Sequence, residues 1–353
     1  MDLRVAGFAL ILATAILGCG VAPMTPGPST SASGASSPVA SATAGRSLEP
    51  VRSAAPSATA VLPRIGGTWA SGTRTPTRRA ENAAVALDGV IYVAGGMDGD
   101  GKTLDLFEAY DTRTDTWTTL PPLPEPRDHM GLVAVDGQIY LTGGGVFYQP
   151  AARSGLWRYD PKARHWSALP PMPANRWQHA SVVLDGRIYV VGGVTDGDNP
   201  RAVWAYDIAG GSWVTDIAPL PTEREHLTAV AANGLVIAIG GRKIHQIGAV
   251  EAYDPKTNAW KALPDLPTPR GGSAVGLIDD VIHVAGGENL NDSTTYAQHE
   301  ALDLATMAWS KGPDLPTKRH GVASAVVDGR WYVIGGGRAA GLSVSDFVEV
   351  YTP

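Results

Sequence analysis

Short apolar runs alternate along the chain with turns rich in glycine and proline. In a representative unit, small apolar residues at 83–87 precede an Asp-Gly pair at Asp88, which is the strongest short hairpin signal, and a β-branched run follows at 90–94. A third strand is predicted over 104–110 and a fourth around Trp117. No segment has the apolar period of an amphipathic helix. The pattern therefore predicts four-stranded sheets and almost no helix.

This unit occurs six times with a period of about 48 residues. One arginine precedes the first strand of each unit: Arg79, Arg127, Arg176, Arg224, Arg270 and Arg319. A Gly-Gly pair follows each second strand and begins at Gly95, Gly143, Gly192, Gly240, Gly286 and Gly335. Because both markers keep the same intervals, the chain is a repeat protein and its repeated part forms one architecture.

The two ends of the repeated region complement each other. The sixth unit stops at Tyr351 and lacks its last strand, whereas Trp69 precedes the first arginine and belongs to no complete unit. A closed ring, in which the N-terminal strand around Trp69 completes the last sheet, explains both features. Ring closure of this kind also removes exposed sheet edges.

The repeats resemble the Kelch family from Ile65 to the C-terminus. The resemblance rests on the period, the Gly-Gly pairs, and a tyrosine and a tryptophan spaced by seven, as at Tyr110 and Trp117. It implies an all-β fold, a six-bladed Kelch β-propeller over residues 63–353. It implies little about function, because the family includes enzymes, carbohydrate binders and protein-interaction scaffolds.

The N-terminal region differs from the repeats in composition. An apolar run over 6–18 is too short to span a bilayer and suits a signal peptide over 1–19. The run ends in a segment that resembles a bacterial lipobox, with Cys19 as the lipidated residue. Residues 20–62 are rich in Ser, Ala, Thr and Pro and predict a disordered tether. We therefore expect an extracytoplasmic protein, either secreted or held at the membrane only through a lipid anchor.

Composition and charge exclude several partner classes. Glycine accounts for 42 of 353 residues, in agreement with a fold rich in tight turns. The formal net charge of −6 argues against nucleic-acid binding. A single cysteine excludes an intramolecular disulfide and any multi-cysteine metal site. We expect a monomer without a cofactor.

Candidate binding residues lie near the six arginines, at one mouth of the predicted channel. The arginines either bridge neighbouring blades through backbone carbonyls or contact a ligand. The candidate ligand-binding residues are Arg79, Arg127, His129, Arg176, Trp177, His179, Arg224, Arg270, Arg319 and His320. The four histidines near the arginines, which include His226, stand at unequal distances after them. This spacing argues against convergence, and no metal site is predicted.

Two functions are compatible with these residues, and a third is excluded. A binding module for a glycan, peptide or protein is favoured, because no catalytic motif is present. The alternative is a sugar-acting enzyme such as a sialic acid mutarotase, with Arg224 and Arg270 holding the sugar carboxylate. Its candidate acids and bases are Glu81, Glu223, Glu225 and His226. A copper radical oxidase resembling galactose oxidase is excluded, because Cys19 lies outside the propeller.

Overall fold

The structure, a computed structural model, describes residues 62–147, 152–196 and 200–353. The predicted signal peptide, Cys19 and all but the last residue of the predicted tether lie outside the described residues and stay predictions. Strands, turns and bends make up the secondary structure of the described residues. Among them, no helix is long and apolar enough to cross a membrane.

The described residues form 26 strands. The first thirteen are β1 (Thr68–Ser71), β2 (Ala83–Leu87), β3 (Val90–Ala94), β4 (Phe107–Asp111), β5 (Thr116–Thr119), β6 (Gly131–Val135), β7 (Gln138–Thr142), β8 (Leu156–Asp160), β9 (His165–Leu169), β10 (Ala180–Leu184), β11 (Arg187–Val191), β12 (Trp204–Asp207) and β13 (Ser212–Val214). The others are β14 (Thr228–Ala232), β15 (Leu235–Ile239), β16 (Val250–Asp254), β17 (Ala259–Leu263), β18 (Ala274–Ile278), β19 (Val281–Ala285), β20 (Glu288–Asn289), β21 (Thr294–Thr295), β22 (His299–Asp303), β23 (Ala308–Lys311), β24 (Ala323–Val327), β25 (Arg330–Ile334) and β26 (Val348–Thr352).

Six four-stranded antiparallel sheets form the blades of a propeller. Blades 1 to 4 are β2–β5, β6–β9, β10–β13 and β14–β17, and blade 5 is β18, β19, β22 and β23. The first strands of consecutive blades lie side by side, and β24 of blade 6 contacts β2 of blade 1. This closed order confirms the predicted all-β, six-bladed propeller. Its loop face carries the inter-blade connections and the loops between second and third strands, and its turn face carries the tight turns.

The N-terminal strand closes the ring as predicted. Blade 6 has the order β1-β26-β25-β24, so its outermost strand comes from the start of the repeated region. Trp69 pairs with Tyr351 in this sheet, and the Trp69 indole donates a hydrogen bond to the carbonyl of Pro313 in blade 5 (2.8 Å). The strand order therefore confirms the interpretation of the two incomplete ends.

Local turn chemistry accounts for the strand boundaries. The Asp or Asn that follows each first strand has a left-handed backbone, with φ between +46° and +53°, which suits the two-residue turns of β-hairpins. The third strand of blade 1 begins at Phe107 and not at the predicted residue 104. Leu104 instead donates its N–H to the carbonyl of Gly96, because the chain is still turning back after the Gly-Gly pair.

Repeated tryptophans and apolar strand residues join adjacent blades. The indole N–H of Trp213 donates to the Pro170 carbonyl of the preceding blade at 2.9 Å, and that of Trp260 donates to the Ala218 carbonyl at 2.8 Å. Buried apolar clusters likewise combine residues of neighbouring sheets, such as Ile237 with Ile282. The core therefore lies between blades, which explains why the tryptophans recur.

Candidate functional site

The Gly-Gly pairs and the arginines form the inter-blade junctions. In all six blades, the second glycine donates its N–H to the carbonyl of the next blade's arginine, at 2.8–2.9 Å. A Cβ on the first glycine, for example Gly192, would clash with that same carbonyl, at Arg224. The predicted bridge between blades therefore uses the arginine's own carbonyl, and the guanidinium group bonds within its own blade.

The six arginines lie inside the blades, and none reaches the surface of the channel mouth. Each is 0–2% exposed. The guanidinium groups of Arg224 and Arg270 are paired with the buried carboxylates of Glu251 and Glu300, at 2.5 and 2.6 Å. A sugar carboxylate would have to displace these partners, so the geometry does not favour the binding role predicted for the arginines.

The glutamates that pair with these arginines were not predicted from the sequence. Four blades carry one at the same register of the third strand: Glu108, Glu251, Glu300 and Glu349. The signal was present, since each stands two residues before the repeated tyrosine or its leucine replacement. Blades 2 and 3 have tryptophan there, and the Arg176 guanidinium lies over the Trp204 ring at 4.3 Å.

Two residues after each arginine, the backbone forms a closed ring of hydrogen bonds. Each of these residues donates its N–H to the carbonyl of its counterpart in the preceding blade, at 2.7–3.0 Å. All six have φ between +49° and +65°. The ring consists of Glu81, His129, Gln178, His226, Gly272 and Gly321. It holds four polar side chains at the mouth of the channel, in a repeat position that otherwise carries glycine.

Ionisable side chains converge at this ring. Three come from the ring itself, three from the residue that follows an arginine, and two from the position after a Gly-Gly pair. This mouth cluster consists of Glu81, Asp128, His129, Glu225, His226, Arg242, Glu288 and His320. It borders a pocket that Glu81, His129 and His226 line.

His129 lies between two carboxylates. Its Nε2 is 3.2 Å from Glu81 Oε2, and its Nδ1 is 2.7 Å from Asp128 Oδ1. Asp128 is fully buried, and its other oxygen accepts hydrogen bonds from the Thr103 hydroxyl and the Phe147 N–H. These contacts fix both the position of the imidazole and the nitrogen that faces Glu81.

Arg242 connects the other half of the cluster. Its guanidinium contacts Glu225 Oε1 at 2.8 Å and Glu288 Oε1 at 2.6 Å. It also lies 3.1 Å from Nε2 of His226, whose Nδ1 faces Glu225. On the far side, His320 Nε2 is 3.4 Å from Glu288 Oε2. Arg242 and Glu288 were not predicted, because their position after the Gly-Gly pair varies in character between repeats.

The pKa values of His129 and His226 are shifted in opposite directions. Burial alone would lower the pKa of His129, but the charges of Glu81 and Asp128 outweigh burial and raise it above its ordinary value. Burial, reinforced by the positive charge of Arg242, holds the pKa of His226 well below its ordinary value. The cluster therefore holds two neighbouring imidazoles whose pKa values are shifted in opposite directions.

The predicted site residues are only partly brought together. The side chains of His129, His226 and His320 converge, so the prediction from their unequal spacing was wrong. His320 stands one residue nearer its arginine than the other two, but its side chain reaches the same cluster from the adjoining loop. His179 lines the pocket but donates to or accepts from Thr142 at 2.9 Å. Trp177 packs edge-on against His129, with ring centroids 5.7 Å apart.

One candidate acid lies elsewhere. Glu223 is 30% exposed and pairs with Lys243 on the surface at 2.5 Å. Glu81, Glu225 and His226 remain as candidates inside the mouth cluster. Among the described residues, Glu81, His129 and His226 also offer ligand atoms that lie within 4.8 Å of one another.

Comparison with known proteins identifies the family. Residues 67–215 and 169–287 match the KLHDC2/KLHL20/DRC7 Kelch-repeats domain. The chain belongs to the Kelch-repeat family. The Kelch-like protein terF of Aspergillus terreus is 29% identical over 224 residues, or 60% of this chain and 38% of the fungal protein. Kelch-like protein 35 of Mus musculus is 28% identical over 228 residues, or 65% of this chain and 30% of the mouse protein.

A solved structure has a similar architecture. The structure of YjhT aligns with a TM-score of 0.66 at 20% sequence identity, covering 78% of this chain and 95% of YjhT. At this identity the likeness concerns the fold alone. The curated relatives are longer, since the matched regions amount to 38% and 30% of their length. Family membership therefore defines this propeller as a Kelch domain without assigning it a ligand.

Proposed function

We propose that this Kelch propeller is a binding module that docks a protein or peptide on its loop face. One observation carries the proposal. Among the described residues, four of the five exposed large hydrophobic side chains belong to loops of that face: Val194, Ile244, Leu290 and Leu342. The fifth, Met307, lies on the turn face. Exposed apolar patches on soluble domains mark interaction surfaces.

Three of these side chains come from adjacent blades, and their loops contact one another. We call Ile244, Leu290 and Leu342 the apolar rim; their exposed fractions are 75%, 46% and 42%. Asn291 of blade 5 donates to the Ile244 carbonyl at 3.4 Å, and the Gly341 N–H of blade 6 donates to Glu288 at 2.8 Å. Aliphatic groups exposed on neighbouring loops suit an apolar protein surface better than the hydroxyl-rich surface of a glycan.

A peptide-display experiment with matched variants tests this function. Random peptides are selected on the purified full chain and measured against the triple variant Ile244→Asp/Leu290→Asp/Leu342→Asp. Selected peptides should lose at least tenfold in affinity for the triple variant, about 1.4 kcal/mol. They should keep their affinity for Met307→Asp, which places the same charge on the turn face.

Two results would count against the proposal. Peptides that bind the triple variant as tightly as the unmodified chain would place binding away from the apolar rim. A glycan array run on the same proteins provides the other result. A sugar that binds the unmodified chain and not the triple variant would change the ligand class from peptide to glycan.

A sugar-acting enzyme is the second candidate function, and the surroundings of His129 favour it. Proton transfer to a sugar ring needs an acid and a base held in position. The Glu81–His129–Asp128 contacts provide such a pair at the pocket. Mutarotation of free sugars, including sialic acid, followed by proton NMR, would be accelerated by the unmodified chain and not by His129→Gln. Equal rates with and without protein would exclude this activity for the sugars used.

We further propose that the propeller is displayed outside the cytoplasm through lipidated Cys19. The apolar run over 6–18 and the absence of any other cysteine support this assignment. In a bacterial host, Cys19→Ser should move the protein from the membrane fraction to the soluble extracytoplasmic fraction and abolish labelling by a fatty-acid probe. Labelling of the Cys19→Ser variant would contradict the proposal.

A further inference from the structure

We infer that Glu81, His129 and His226 form a binding site for a divalent transition metal at the mouth of the propeller channel. The ligand atoms of the three side chains lie within 4.8 Å of one another. Zinc bonds of about 2.0–2.2 Å separate tetrahedral ligand atoms by about 3.4 Å, so small side-chain rotations would complete the site. The inference goes beyond peptide docking and does not depend on it.

The ligand types select the class of metal. Two imidazoles and one carboxylate suit zinc and its first-row neighbours, whereas calcium and magnesium prefer sites made of oxygen atoms. Three protein ligands also leave coordination positions for a water molecule or a ligand group. We therefore assign Zn²⁺ or a similar borderline cation to this site.

Both histidines have the same supporting carboxylate. Asp128 precedes His129 and Glu225 precedes His226 in the sequence, at the same register of blades 2 and 4. Each acidic side chain faces Nδ1 of the histidine that follows it. Metal-binding histidines usually donate their second nitrogen to a carboxylate, which orients the ring and makes the coordinating nitrogen more basic. This duplicated support is difficult to explain by packing alone.

The backbone ring holds the three ligands before any metal binds. Each belongs to a residue whose N–H and carbonyl both contribute to the closed circle of hydrogen bonds. Gly321, also in the ring, provides space: a Cβ there would collide with the carboxylate of Glu81. Pre-organised ligands of this kind raise metal affinity, because few side-chain rotations are lost on binding.

The surrounding charges are compatible with a cation. The guanidinium of Arg242 lies 3.1 Å from Nε2 of His226, the nitrogen that would coordinate the metal, so it would have to move aside on metal binding. Its charge is balanced by Glu225 and Glu288, with which it forms ion pairs. Glu81 and Asp128 remain to offset the charge of the metal. His320 is a candidate fourth ligand, since it is 2% exposed, its Nε2 is 4.0 Å from Glu81 Oε1, and its Nδ1 has no hydrogen-bond partner among the described residues.

Metal titration of the full chain tests the site directly. A Cys19→Ser background removes the only thiol, and the protein is titrated with ZnCl₂ by calorimetry and with CoCl₂ by visible absorption. We expect one ion per chain and cobalt bands typical of nitrogen and oxygen ligands. His129→Ala and His226→Ala should each weaken binding at least 100-fold, and Asp128→Asn should weaken it about 10- to 100-fold.

Controls separate loss of the site from loss of the fold. His165→Ala removes an exposed histidine on the turn side of blade 2 and should leave affinity unchanged. Thermal unfolding of each metal-free variant shows whether it is folded, and Glu81→Gln, which keeps the side-chain shape, should also weaken binding. The inference would be overturned if the chain took up neither zinc nor cobalt. It would also be overturned if Glu81→Gln and Asp128→Asn bound the metal as tightly as the unmodified chain. Peptide binding measured with EDTA or with Zn²⁺ tests the docking proposal separately.

Discussion

Six arginines occupy equivalent buried positions, but their charges are compensated in more than one way. In four blades a carboxylate from the third strand pairs with the guanidinium group, as Glu300 does with Arg270. In blade 3 the carboxylate is absent, and Arg176 lies over Trp204 instead. Burial lowers the pKa of Arg176 to about 10, so it still carries its charge at neutral pH. These pairs are internal supports of the blades.

Removing one of these carboxylates should destabilise the propeller strongly. Glu300→Ala leaves the Arg270 guanidinium buried without its ionic partner, which typically costs about 3–5 kcal/mol. Urea unfolding measures this loss in the free energy of unfolding. Glu223→Ala is the matched control, since its pair with Lys243 is exposed and should contribute about 0–1 kcal/mol. Equal losses in both variants would show that the buried pair is not a special support.

The seam between blades 5 and 6 is the element with the most unusual chemistry. His283 on β19 and His299 on β22 share a hydrogen bond of 2.9 Å and pack against Tyr351 of the closing blade. In most other blades the position equivalent to His283 carries tyrosine, for example Tyr189. Burial lowers the pKa of His283 to about 3 and that of His299 to about 4, so both are neutral in the folded protein.

This seam should make the fold sensitive to acid. The unfolded histidines titrate near pH 6.5, above their folded pKa values of about 3 and about 4. The unfolded chain therefore binds protons first, and the stabilisation present above pH 6.5 is lost as the pH falls towards 4. Each histidine contributes a slope of up to about 1.4 kcal/mol per pH unit. Urea unfolding at pH 7.5 and pH 5 measures this change in the free energy of unfolding.

Matched variants assign this slope to the seam. The double variant His283→Tyr/His299→Leu takes residues found at these positions in other blades and should lose less stability between pH 7.5 and pH 5. His165→Ala, in which an exposed histidine is removed, should keep the slope of the unmodified chain. An unchanged slope in the double variant would assign the acid sensitivity to other groups.

At the scale of the whole molecule, closure of the ring depends on a noncovalent contact. β1 and β26 are far apart in sequence but adjacent in blade 6, where Trp69 is opposite Tyr351. Without β1, the edge of β26 would present unpaired backbone groups, which favour self-association. The backbone ring at the channel mouth likewise needs all six blades in place. Stability of the site and closure of the propeller are therefore linked.

Truncation tests this dependence on closure. A chain that begins after Ser71 lacks β1 and should unfold at a temperature several degrees lower, since it loses the partly buried Trp69 and the pairing of β1 with β26. It should also elute as dimers or larger species in size-exclusion chromatography with light scattering. A chain that begins at Leu62 keeps β1 and is expected to be monomeric with unchanged stability. Two equally stable monomers would refute the prediction.

The fold was predictable in detail, and the site only in part. Glycine pairs, hairpin signals and tryptophans recur because every blade needs the same turns and the same contacts with its neighbour. Each of the six repeats therefore predicts the same structure. The mouth cluster consists of residues at positions that vary between repeats. Such a residue occurs in one repeat, so recurrence cannot reveal its role. Arg242 and Glu288 were therefore missed, and the convergence of His129 with His226 was not expected.

The repeat, the strand order within a blade and the closing role of Trp69 follow from the order of the amino acids, because turn chemistry and apolar alternation act over a few residues. Which charged groups meet depends on the tertiary structure. Residues 81, 129 and 226 are distant in the chain, and their distances depend on how six blades close around one axis. The inward orientation of the repeated arginines also depends on the tertiary structure. A guanidinium group can either support a blade or contact a ligand, and here the glutamates of the third strand pair with it inside the blade.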